Sequence, residues 1–142
     1  MQATQRDEKS ESLPTTAPTR ERASRRAIES VVLSGHAAGV RVAEVVRDRI
    51  ADGSHRVVIT NAKRELPHDL VEHAFEALRY SGLVCAPDGD GDIALLGMTQ
   101  PHDALLASVP WGTSAALDEL LRTAREQHVS VLLLPPEREL RG

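Results

Sequence analysis

One stretch constrains this chain more than any other: Ser30 to Asn61, SVVLSGHAAGVRVAEVVRDRIADGSHRVVITN. It contains an apolar run, a glycine-bearing turn, a helical pattern and a second apolar run. Val42, Val45, Val46 and Ile50 recur at helical spacing, and Arg41, Glu44, Arg47 and Asp48 take the opposite side. That is one buried and one solvated face of a helix. Gly53 after Asp52 supplies a left-handed stop. Val31-Val32-Leu33 and Val57-Val58-Ile59 are apolar throughout, as strands covered on both faces are. Strand, turn, helix, strand is the unit from which parallel sheets are built.

The remainder reads as more of the same unit. Pro67 suits a first helical position, and Leu70, Val71, Ala74, Phe75 and Leu78 form a single stripe that Gly82 closes. Leu83-Val84-Cys85 and Ile93-Ala94-Leu95-Leu96 are strand-like and flank PDGDGD. Either they form a hairpin or one of them is the third parallel strand, with Ile93–Leu96 the favoured core strand. Pro101 opens a short helix with Leu105, Leu106 and Val109, and Pro110-Trp111-Gly112 breaks it. A longer helix from Thr113 carries Leu117, Leu120, Leu121 and Ala124, and Val129 to Leu134 is a last strand stopped by two prolines. The expected architecture is a three-layer, Rossmann-like α/β domain with a parallel sheet in the order βαβαβαβ. It occupies residues 28–142. Residues 1–27 are polar, hold Pro14 and Pro18, and are expected to form a disordered tail.

Composition narrows the function. A net charge of −4 gives no general attraction to nucleic acid or an anionic membrane. Phe75, Tyr80 and Trp111 are the only aromatics, too few for a base-stacking surface. A single cysteine, Cys85, fits a reducing compartment, and no apolar run approaches the ~20 residues of a membrane helix. With no apolar signal segment at the N-terminus, a cytoplasmic location is expected.

At the first turn the residues resemble the opening of short-chain dehydrogenase/reductase domains, whose nucleotide turn reads T-G-x-x-x-G-x-G. The matching residues are Ser34, Gly35, Gly39 and, in place of the last glycine, Arg41, with His36 inside the turn. The resemblance implies a tight turn at Gly35, close approach of a pyrophosphate at Gly39, and an anion on the following helix N-terminus. The end of the second strand is where such a domain reads the ribose. An acid there marks NAD, but this chain has Asn61, Lys63 and Arg64. Two cations imply a 2′-phosphate and hence NADP(H), although a solvated connection would look the same. The family's Tyr-x-x-x-Lys is absent, since Tyr80 is followed four residues later by Val84. No group is available to donate a proton to a carbonyl.

Other constellations are weaker. Asp88, Asp90 and Asp92 alternate with glycines, but the sixth and twelfth positions of a calcium loop begun at Asp88 hold Ile93 and Thr99 instead of Gly and Glu. The six histidines lack ligand spacing, so no metal site is expected. Residues 67–97 resemble the last helix and wing of winged-helix DNA-binding domains, with Arg79 toward the groove. Asp69, Glu72 and Glu76 on the same helix would repel phosphate. The leading expectation is a non-catalytic Rossmann-like protein that holds NADP(H) or another nucleotide at residues 34–41. The alternatives are a winged-helix regulator, or an accessory subunit that uses the Pro-Trp-Gly step to meet a protein partner or a second copy of itself.

Overall fold

The computed structural model describes residues 25–35 and 37–135. The expected N-terminal tail up to residue 24, His36 and the last seven residues lie outside them. The elements run β1 (Arg26–Val31), α1 (Ala38–Ala51), β2 (Arg56–Asn61), α2 (His68–Ala77), β3 (Leu83–Pro87), β4 (Ile93–Met98), α3 (Asp103–Ala107), α4 (Ala116–Glu126) and β5 (Leu132–Leu133). The five strands form one sheet in the order β1-β2-β4-β3-β5.

Helices cover both faces, so the three-layer α/β architecture is the one expected. On one face Val42 and Val46 of α1, Leu105 and Leu106 of α3, and Leu120 of α4 pack on Val57, Ile59 and Leu96. On the other, Leu70, Val71, Ala74 and Phe75 of α2 pack on Val58, Val84 and Leu95. Strands β3 and β4 lie second and third from the β5 edge and are buried almost end to end. They form the centre of the molecule, and no exposed wing is left for the winged-helix reading.

The sheet is mixed where a parallel one was expected. β1 runs parallel to β2 and β3 to β5, but β4 is antiparallel to both of its neighbours. The reason is the length of the connection. Residues 88–92 are a hairpin-sized loop, and a parallel crossover needs a dozen residues or more. Glycines at 89 and 91, with φ of +97° and +91°, turn the chain.

The first strand also lies five residues earlier than its apolar run suggests. Arg26 pairs with Arg56 and Val31 with Asn61, while Val32 and Leu33 belong to the loop. An edge strand with one covered face tolerates polar side chains, and RAIESV alternates accordingly. Helix α1 ends as expected. Ser54 N–H donates to the Arg49 carbonyl (2.9 Å) and Gly53 N–H to that of Ile50 (3.0 Å), with Gly53 at φ +101°. Helix α2 instead ends at Ala77, and Gly82 serves the start of β3, where its carbonyl accepts from Thr99 N–H (3.2 Å). No helix among the described residues is long and apolar enough to cross a membrane.

Candidate functional site at the carboxyl rim of the sheet

The carboxyl ends of β1, β2 and β3 and the start of the antiparallel β4 lie at one end of the sheet. The loops 32–37, 62–67 and 88–92 meet there. The second begins against the end of β1, since Ala62 N–H donates to the Val31 carbonyl (2.8 Å).

The β1–α1 turn depends on Gly35, whose φ of +91° a side chain would resist. A Cβ there would meet nothing within 4 Å, so the turn faces open space. Helix α1 begins after Ala37 with no side-chain cap and no acid in its first turn. Ala38 N–H donates to the Gly35 carbonyl (3.2 Å), and the next N–H groups, of Gly39 and Val40, have no partner among the described residues, so they and the positive dipole end are left for an outside acceptor. Arg41 reaches back from α1 and donates to the carbonyls of Val32 (2.8 Å) and Ser34 (3.2 Å). That guanidinium braces the loop instead of extending from it. Gly112, at φ +83°, lies so close to Ser34 that a Cβ would fall 2.7 Å from the serine Cβ.

The second loop is set by Asn61, whose Oδ1 accepts from Lys63 N–H (3.1 Å), an Asx turn. Lys63 is exposed and carries no ion pair among the described residues. Arg64 pairs with Asp88 at 3.4 Å. Asp88 also accepts from the N–H groups of Asp90 (2.8 Å) and Asp92 (3.3 Å), and Asp92 accepts from Ile93 N–H (2.8 Å). These carboxylates are engaged in shaping their own loop. Among the described residues no three His, Cys, Asp or Glu side chains gather as a metal site would need. The loop is docked from behind: Leu117 N–H donates to the Gly91 carbonyl (2.9 Å), and a Cβ on Gly91 would fall 2.9 Å from the Ser114 carbonyl carbon.

Of the residues the sequence nominated, Ser34, Gly35, Asn61, Lys63 and Arg64 gather at this rim, and Arg41 lies against it. Gly39 does not face it. Its missing Cβ makes room for the Leu106 carbonyl of α3, with the Leu106 carbonyl carbon 2.9 Å and the Trp111 Nε1 3.1 Å from where a Cβ would stand. Trp111 is 5% exposed and donates from Nε1 to that same carbonyl (3.1 Å). It is a core residue, and the Pro-Trp-Gly step offers no indole to a partner. Sequence reasoning missed Gly91 and Gly112 as rim residues. The paired glycines of PDGDGD and the glycine after Trp111 were the available signal.

At the opposite end of the sheet, Arg26, Arg56 and Arg79 share a shallow cleft with Glu72, Phe75 and Glu76. Arg26 lies 4.3 Å from the Phe75 ring centre and makes two bonds to Glu72, at 3.0 and 3.1 Å. That hydrogen bond holds the Glu72 carboxyl below its usual range. Arg79, the residue placed toward DNA in the winged-helix reading, pairs with Glu76 at 3.5 Å.

Comparison with known proteins places this geometry. A family model described as "Uncharacterized protein conserved in bacteria (DUF2064)" matches residues 4–113. A solved structure described as a "putative nucleotide-diphospho-sugar transferase" from Desulfovibrio desulfuricans G20 superposes with a TM-score of 0.63 at 23% identity. The match covers 73% of this chain and 46% of that one, so this chain spans less than half the length of its structural neighbour. At that identity the likeness is one of fold. No curated protein matches. These findings overturn the resemblance to short-chain dehydrogenase/reductases, and the geometry explains why it misled. A β1–turn–α1 unit is common to many α/β folds. Here the glycine meant for a pyrophosphate is spent on a helix contact, and β4 runs against its neighbours. The chain belongs to the DUF2064 family of proteins conserved in bacteria.

Proposed function

We propose that the carboxyl rim binds the diphosphate of a nucleoside-diphosphate sugar, without carrying out a transfer of its own. The reading rests on one observation: the uncapped, acid-free start of α1 opens beside the loop that carries the exposed Lys63. Free N–H groups, a helix dipole and an ammonium group are the ordinary elements of a phosphate site. Support for the sugar-linked class comes from the neighbour, described as a nucleotide-diphospho-sugar transferase. Nothing in that comparison supports NADP(H), which shares the diphosphate and serves as the comparison ligand. The non-catalytic part of the reading rests on the two partly buried carboxylates of the rim. Those of Asp88 and Asp92 are committed to Arg64 and to backbone N–H groups.

Titration calorimetry with UDP-glucose, GDP-mannose and ADP-glucose tests the proposal, with NADPH alongside. At least one sugar nucleotide is expected to bind more tightly than NADPH. Lys63→Ala should weaken it roughly fivefold, the value of about 1 kcal/mol for one solvent-facing charged contact. Absence of heat from all three at millimolar concentration, or equal binding by Lys63→Ala, would refute the reading.

A further inference from the structure

The outer edge of β1 has a backbone geometry that fits a second copy of itself. Among the described residues β1 is hydrogen-bonded to β2 alone. The Arg25 carbonyl accepts from His55 N–H (3.0 Å) and the Val31 carbonyl from Ala62 N–H (2.8 Å). Backbone groups alternate in direction along a strand. Residues 25, 27, 29 and 31 therefore point their N–H and C=O groups at β2, and Arg26, Ile28 and Ser30 point theirs outward. Among the described residues nothing pairs with those six groups. Ile28, in the middle, is 53% exposed.

Such an edge is usually blunted by proline, by a bulge or by an inward charge; β1 has neither proline nor bulge, and Glu29, the charge on its covered face, is answered by Arg49 at 3.8 Å. Its ladder to β2 is regular over all six residues. The one cation on the outward-pointing set, Arg26, is drawn back over Phe75 and onto Glu72.

We propose that two copies of this chain join through β1, antiparallel about a two-fold axis at Ile28, into one continuous sheet. The register follows from parity and charge. With Ile28 opposite Ile28, Arg26 faces Ser30 and Ser30 faces Arg26. All three are pairs of outward-pointing residues, so each exchanges two N–H···O bonds and all twelve groups of the two edges are satisfied. Ala27 then faces Glu29 on the other side of the sheet. No like charges meet, and the two exposed isoleucines cover one another. A shift by two residues one way leaves two bonded pairs and brings Glu29 opposite Glu29. The same shift the other way also leaves two, with Arg26 against Ile28. The interface is isologous, as closed dimers require. It is also small, so the dimer forms in proportion to concentration.

Light scattering after size exclusion, over a concentration series from micromolar to millimolar, tests this on the full chain. The weight-average mass is expected to rise from 15.4 kDa toward twice that value and no further. Ile28→Pro removes an N–H that points away from β2, so the ladder within the subunit keeps all its bonds while the centre of the dimer loses two. It should stay at the single-chain mass throughout, with an unchanged far-ultraviolet spectrum. Should that variant unfold, Ile28→Lys decides, because it sets two ammonium groups face to face across the axis and leaves the backbone alone. Either variant dimerising as wild type overturns the proposal. So does a wild-type chain that is monomeric at millimolar concentration, or one that grows past the dimer.

Discussion

Replacing Gly39 by alanine puts two opposed effects in one side chain. In an ordinary helix the change stabilises by roughly 0.8–1 kcal/mol, because alanine loses less backbone freedom on folding. Here the new Cβ would stand 2.9 Å from the Leu106 carbonyl carbon, closer still to its oxygen, and 3.1 Å from Trp111 Nε1. All three are fixed: the first two are backbone of α3, and the indole is buried and bonded to the same oxygen. Relief requires α1 and α3 to part, or the indole to give up its acceptor. Overpacking of this kind costs about 1–3 kcal/mol, and a buried donor left unpaired costs about as much. The net expectation is a loss of about 1–3 kcal/mol, or roughly 3–8 °C in melting temperature for a domain of this size. Urea unfolding followed by tryptophan fluorescence measures it, since the chain has one tryptophan and it sits at the contact. A Gly39→Ala protein as stable as wild type, or more so, would refute the helix-contact reading and return Gly39 to the turn.

Gly91→Ala should be as damaging, by about 2 kcal/mol or more, since it combines a left-handed φ of +91° with collision against the Ser114 backbone; thermal melting checks it, and a neutral change would mean that the 88–92 loop is not docked. Cys85 is fully buried, and burial pushes its thiol up to about 12. Ellman's reagent at pH 8 should therefore label it only after unfolding, and rapid labelling of the folded chain would contradict its place in the core. Because the folded value is raised, its contribution to stability is whole below the ordinary thiol range and is lost as pH climbs toward 12. His102 shows the opposite sign. Its Nε2 is buried without a hydrogen-bond partner among the described residues, and desolvation lowers its pKa. Its contribution is present above histidine's usual value of about 6.5 and is lost as pH falls. Melting temperatures between pH 7.5 and 5 should fall less in His102→Asn than in wild type, and parallel curves would refute the assignment.

The α/β layering was legible because its signals are local. The helical spacing of Val42 to Ile50 and the stop at Gly53 lie within single elements, and both are where the pattern put them. Strand direction was harder, since LVCA and IALL are apolar on both faces whichever way they run. The short loop between them carried the answer, as five residues cannot cross over. The rim was half legible. Asn61, Lys63 and Arg64 follow from their position after a strand. The partners of Gly39, Gly91 and Gly112 do not, because Leu106, Ser114 and Ser34 are distant in sequence and meet these glycines only through the fold. A glycine reads the same whether it leaves room for a phosphate or for another stretch of backbone.

The order of the strands has a consequence for synthesis. A chain made from its N-terminus presents Arg26–Val31 before the other described strands, yet within the subunit that segment bonds to Arg56–Asn61, made after the whole of α1. β2 in turn rests on β4, which pairs with β3 across a short loop. The hairpin can close within microseconds of leaving the ribosome, whereas the earliest of the described strands has to wait for the younger ones and attach from outside. Peptide-level exchange during refolding should accordingly find residues 26–31 the last to gain protection.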